Sequence, residues 1–192
     1  MGFNMFKSGR PGRQAVGPDV QSISRRYFIL GAFDGALTIL GVILGAAASG
    51  SLTKQIVMSA GIGGGIALAI SSAVGAYEAE RIETKLNGGD ASRMAAKVEH
   101  KWPKRGYWTV TLIPAAVHGI APLIAAIIPV IPFLVFDIAP AAMISIASTM
   151  AFLFVMGLYL GSLTEGRKLT AGLRFVLIGV VTSVIVVFMF GG

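Results

Sequence analysis

The sequence predicts an all-α, polytopic membrane protein with five transmembrane helices and a short cytoplasmic helical loop between the second and third. Three observations predict it. The 192 residues are 55% hydrophobic and 13% charged, with a mean hydropathy of +0.78, whereas a soluble domain is about a quarter charged. Apolar runs of about 20 residues, the length that crosses a bilayer as a helix, occur five times. Fifteen of the sixteen Lys and Arg residues fall on one side of the resulting topology, as the positive-inside bias requires.

Each element has its own signal. Residues 1–24 are basic and contain several Gly and Pro, the composition of a flexible tail, with "SISRRYF" leading the chain to the interface. The first span covers about 27–48. Its basic flank imitates a secretory leader, but its apolar run exceeds the roughly 7–15 residues of a leader core and reads as a span. A turn at Ser49 to Lys54 leads into the second span, about 55–77. The segment 78–106 is charged; it is expected to carry the second helix past the membrane, break at Asn87, Gly88 and Gly89, and restart with Asp90 as N-cap. The third run, about 107–136, contains Pro114, Pro122, Pro129 and Pro132. Proline cannot donate a backbone bond, so a kinked or broken helix with freed carbonyls is expected there. Asp137 and Pro140 suit the start of the fourth span, 138–161, and the fifth covers 171–190. Residues 25–190 thus form one transmembrane domain.

Charge sets the orientation. Arg and Lys residues crowd the tail, the 78–106 loop and the stretch Arg167, Lys168, Arg174, leaving Lys54 alone opposite. The N-terminus and the long loop are expected in the cytoplasm and the C-terminus on the other side, in the cell membrane if the chain is prokaryotic. The basic residues then face anionic lipid, and nothing in their pattern suggests nucleic acid. With no cysteine, disulfides and thiolate metal sites are excluded. No nucleophile–base motif, cofactor loop or zinc motif appears, so an enzyme is not expected, nor a tightly bound cofactor.

Small residues recur at helical spacing: Gly31 with Gly35, Gly41 with Gly45, Gly61 with Gly65. Such faces let membrane helices approach closely, either within one bundle or across a dimer.

The residues that point to chemistry are few. Asp34 lies seven residues into the first span. An acid inside a membrane helix costs about 2.5–3.5 kcal/mol at mid-bilayer on insertion scales, so its presence marks function unless it serves as hydrogen-bonded helix glue. The functional reading is a carboxylate in a wet cavity that binds a cation and takes a proton when the cation leaves. His118 in the third span is a proton relay or ligand, or else a satisfied buried imidazole. Ser72 can line the same path. Glu80 and Glu83 sit about one turn apart, Glu78 lies elsewhere around the helix, and Glu99 with His100 could complete a cation site. Interleaved Arg and Lys make an ion-paired surface the plainer alternative. The methionines of the spans read as core filler.

In order, "GAFDGALTILGVILGAAASG", "IALAISSAVGAYEAERIE", "HGIAPLIAAIIPVIPF" and "GLRFVLIGVVTSVIVVF" resemble the five-span vacuolar iron transporter family. The most specific parts are the Asp34–Gly35 pair and the proline-rich end of the third span. The resemblance implies a homodimer that exports ferrous iron or manganese from the cytosol in exchange for protons, with Asp34 in the pathway. Where the family commonly carries a Met and then Gly-Glu-Tyr at the end of the second span, this chain reads Ser72 and then Gly75-Ala76-Tyr77; Glu78 and Glu80 are the nearest substitutes. The family's cytoplasmic metal-binding domain is reduced to Glu80, Glu83, Met94 and Glu99. The expectation is a proton-coupled Fe2+ or Mn2+ transporter, with Asp34, His118 and Ser72 along the path and Asp34, Glu78, Glu80, Glu83 and Glu99 as metal ligands. The alternative is a membrane scaffold that uses its small-residue faces to bind partner helices.

Overall fold

The computed structural model describes residues 20–95, 104–163 and 167–191. They form five helices: α1 (Val20–Ala48), α2 (Lys54–Ala95), α3 (Lys104–Val135), α4 (Ile138–Leu163) and α5 (Lys168–Phe190). All five are long and apolar enough to cross a membrane, and among the described residues there are no strands. The protein is a multi-pass integral membrane protein.

The helix ends differ from the expected ones in ways local chemistry explains. α1 begins at Val20, so residues 20–24, expected in the tail, continue the helix below the apolar run. α2 does not break at Asn87–Gly89: it runs 42 residues without interruption. A helical Gly lowers stability by about 1 kcal/mol relative to Ala, which does not force a helix to end. Between α1 and α2 the turn places Gly50 at φ 69, a conformation only Gly adopts without strain. Thr53 Oγ1 then accepts the Ile56 N–H at 3.1 Å and caps α2. Asp137 stands before α4, its carbonyl accepting the Ala141 N–H at 2.8 Å.

α3 is the centre of the bundle, with α1 and α2 packed on it and α4 paired with α5. Despite four internal prolines it is one continuous helix. All four prolines are buried, so the backbone groups they disturb face neighbouring helices rather than lipid. At the α1–α3 seam this is explicit. Pro122 removes the bond that His118's carbonyl would have accepted, and that carbonyl faces Gly31, where an added Cβ would lie 2.9 Å from it. One turn on, a Cβ on Gly35 would fall inside the backbone of Pro122. The Gly31/Gly35 pair therefore brings α1 against α3's proline segment within one protomer. On the other flank the Ser145 hydroxyl of α4 donates to the Pro129 carbonyl.

Two clusters fill the interior: Ala32, Ala36, Ala121, Ala125 and Leu153, and, nearer the α1–α2 turn, Ile39, Ile43, Val57, Ala126, Phe133 and Ala141. Met150 and Met156 pack against the first, as filler should. Gly61 and Gly65 meet α3 side chains, and Gly45 meets Val186 and Phe190 of α5, whereas Gly41, Gly63, Gly64 and Gly75 border open space.

Candidate functional site

The intramembrane acid sits on the outside of the protomer. Gly31 and Gly35 turn one side of α1 towards α3, Phe33 turns another towards Phe175 of α5, the rings 4.9 Å apart, and Ala32 and Ala36 point to the core. What remains is a stripe of Leu30, Asp34 and Gly41, spaced as one helical face. Leu30 is 50% exposed, Asp34 is exposed, and Gly41 has nothing within 4 Å of where a Cβ would be. A carboxylate in such a position cannot rest against hydrocarbon without penalty.

Glu80 is the reverse case. It is 5% exposed and packs at the basic end of the bundle against α1, with Arg26 Nη2 3.8 Å from its Oε1. The Arg26 guanidinium lies 5.5 Å from the Tyr27 ring centre, within cation–π range. Arg26 was not singled out by sequence reasoning, because an ion pair between helices depends on their tertiary packing. Tyr27 carries the contact on: its ring lies 5.0 Å from that of His118, and its carbonyl accepts from His118 Nδ1 at 2.8 Å. A carbonyl only accepts, so Nδ1 holds the proton and Nε2 is the nitrogen left for other chemistry. His118 is thus anchored in the α1–α3 seam, in the room Gly31 leaves beside it, where an added Cβ would lie 2.9 Å from Nδ1.

The other expected residues separate. Ser72 is buried on α2. Glu78 is paired with Arg81, whose Nη1 is 3.1 Å from both carboxylate oxygens, which is the ion-paired surface of a mixed-charge helix. Glu83 is exposed although Glu80, one turn away, is buried. Their offset around the helix puts Glu80 in the contact with α1 and Glu83 outside it. Glu99 and His100 lie outside the described residues. Among the described residues, no three acids or imidazoles converge as a ready metal cage.

Five apolar helices, an acid within the first and a proline-rich third span are features that comparison with known proteins can place. The sequence model of the VIT family matches residues 25–106 and 78–191. The chain belongs to the VIT family. As a family member it is a membrane metal-ion transporter at that general level, in a family of transporters rather than enzymes. A relative from Methanocaldococcus jannaschii is 32% identical over 161 residues, covering 79% of this chain and 80% of the relative, and is described as uncharacterized. The similarity to an archaeal protein is consistent with a prokaryotic-type VIT family member.

Proposed function

We propose that this VIT family protein exports a divalent cation, Fe2+ or Mn2+, from the cytosol in exchange for protons, and that it works as a homodimer. The single observation that carries the reading is the exposed Asp34 on the uncovered stripe of α1. A lone protomer leaves that carboxylate towards lipid; a second copy laid over Leu30, Asp34 and Gly41 turns the stripe into an internal, wet path. The open glycines of α1 and α2 support close approach of that copy.

In the proposed cycle the cation is gathered at the cytoplasmic mouth by Glu78, Glu80, Glu83 and Glu99. It then passes to Asp34, with Ser72 and His118 beside the path. Opening to the far side lets a proton from that side take the carboxylate, and the metal leaves. Asp34 carries either the cation or the proton, and this alternation couples the two flows.

The test is metal uptake into sealed liposomes carrying the purified protein, with an imposed proton gradient and a pH dye inside, for wild type and Asp34→Asn. Metal entry matched by proton exit, and lost in the variant, is the expected result. Transport retained by Asp34→Asn removes Asp34 from the mechanism. Absence of flux for both metals favours the scaffold reading.

A further inference from the structure

Asp34 has a basic neighbour that the linear sequence conceals. Phe33 and Phe175 meet with ring centres 4.9 Å apart, while further along the same two helices Gly45 approaches Val186 and Phe190. Both contacts advance in the same direction along α1 and α5, so these helices run parallel. Successive residues of a right-handed helix turn by about 100°. For two parallel helices whose facing residues are Phe33 and Phe175, the residue after the first and the residue before the second therefore project to the same side of the pair. Those residues are Asp34 and Arg174.

Both are exposed. Arg174 is the one charged residue within α5 beyond its first residue, Lys168, and it lies about 9 Å along the axis from that end by helical rise. An exposed acid and an exposed base thus stand at one level, on adjacent helices, on one uncovered face of a membrane bundle. Among the described residues neither is in an ion pair, whereas Arg26 is paired with Glu80 and Arg81 with Glu78.

We infer that Arg174 is the resting counter-charge of Asp34, a tethered cation that a divalent metal must displace. This rests on the reading of Asp34 as the cation-binding carboxylate. Alone in a membrane face, each charge is unfavourable; side by side they offset one another. The guanidinium is a permanent cation on a long flexible stem, able to reach a carboxylate on the next helix and to swing away again. A monovalent ion that replaces it exchanges one positive charge for another and gains little. A divalent ion brings twice the charge to the same carboxylate. Arg174 is accordingly a specificity-determining residue: it holds the site against monovalent ions and sets the affinity at which a divalent ion enters.

The experiment is a double-mutant cycle on Mn2+ binding to the purified protein, read from the loss of the free-ion electron paramagnetic resonance signal, with uptake measured in parallel. Arg174→Gln is expected to bind Mn2+ about 5-fold or more tightly than wild type, the lower end of ordinary coupling between sites. Potassium should then weaken that binding more than it does in wild type. Arg174→Lys should stay close to wild type, and Asp34→Asn/Arg174→Gln should bind no more tightly than Asp34→Asn. Arg174→Ala, which removes the charge and leaves a good helix former, carries the same test if the Gln variant does not accumulate. Unchanged or weaker binding on removing Arg174, or tightening that persists without Asp34, overturns the assignment, as does wild-type protein that binds no Mn2+. If the binding cycle holds while wild type moves no metal, the transport reading fails and the counter-charge stands. Because the chain has no cysteine, an Asp34→Cys/Arg174→Cys protein treated with a short dimaleimide gives a second check: linkage within one protomer is expected, and its absence overturns the proposal.

Discussion

Asp34 and Glu80 are both acids on the first two helices, and their surroundings are reversed. Asp34, inside the span, is exposed on the outside of the protomer. Glu80, near the basic end, is buried with Arg26 laid over it. An acid near the end of a bundle can be kept as a structural clasp, because water and long basic side chains are close at hand. An acid in the span without a partner among its own protomer's formed ion pairs is incomplete as a structural element. The difference teaches that tertiary packing, not residue type, decides which acid becomes a contact between helices: Glu80 meets α1 and is buried, whereas Asp34 is turned away from every neighbouring helix and stays exposed.

The comparison breaks most readily at the level of transport. Asp34→Asn should abolish metal-driven proton flux in liposomes without changing the melting profile in detergent, whereas Glu80→Gln should weaken the apparent affinity a few-fold and leave the maximal rate. The opposite pattern would exchange the roles of the two acids.

The seam that presents Asp34 gives the largest stability effect. Gly35→Val places a side chain in the backbone of Pro122; overpacking of this kind costs about 1–3 kcal/mol or more, and a lowered melting temperature with reduced yield should report it. Glu80→Gln should cost less, about 1 kcal/mol, because the Arg26 side chain is 66% exposed and solvent already screens the pair; thermal unfolding of wild type and variant measures it. His118→Phe, which keeps the ring but loses the bond to the Tyr27 carbonyl, should likewise cost about 1 kcal/mol. The smallest change is expected for Glu78→Gln. Both members of the Glu78–Arg81 pair are at least 40% exposed, and its loss should stay within about 0.5 kcal/mol.

The five spans were legible in the sequence because bilayer thickness fixes the length of an apolar run and the basic residues mark its flanks. Asp34 was legible for a related reason: an acid in such a run stands out on sequence alone. The continuity of α3 was not. Its prolines predict disruption locally, but whether the helix breaks depends on what covers the disturbed carbonyls, and Gly31, which lies against the freed His118 carbonyl, comes from another helix. The Arg26–Glu80 pair was hidden because α1 and α2 meet there through tertiary packing. Glu80 and Glu83 looked equivalent by spacing alone, until the position of α1 divided them. The shared level of Asp34 and Arg174 needed the Phe33–Phe175 contact to set the register of α1 against α5.

The unbroken α2 has a mechanical consequence. Its apolar run ends near Tyr77, and the helix continues to Ala95, adding about 27 Å of rod beyond the run by helical rise. With the helix unbroken between the two portions, a tilt of about 10° in the bilayer would swing the free tip by about 5 Å, on the same rise. The rod is a lever: whatever grips its outer end pulls on the Glu80 clasp, and through it on the helix that carries Asp34.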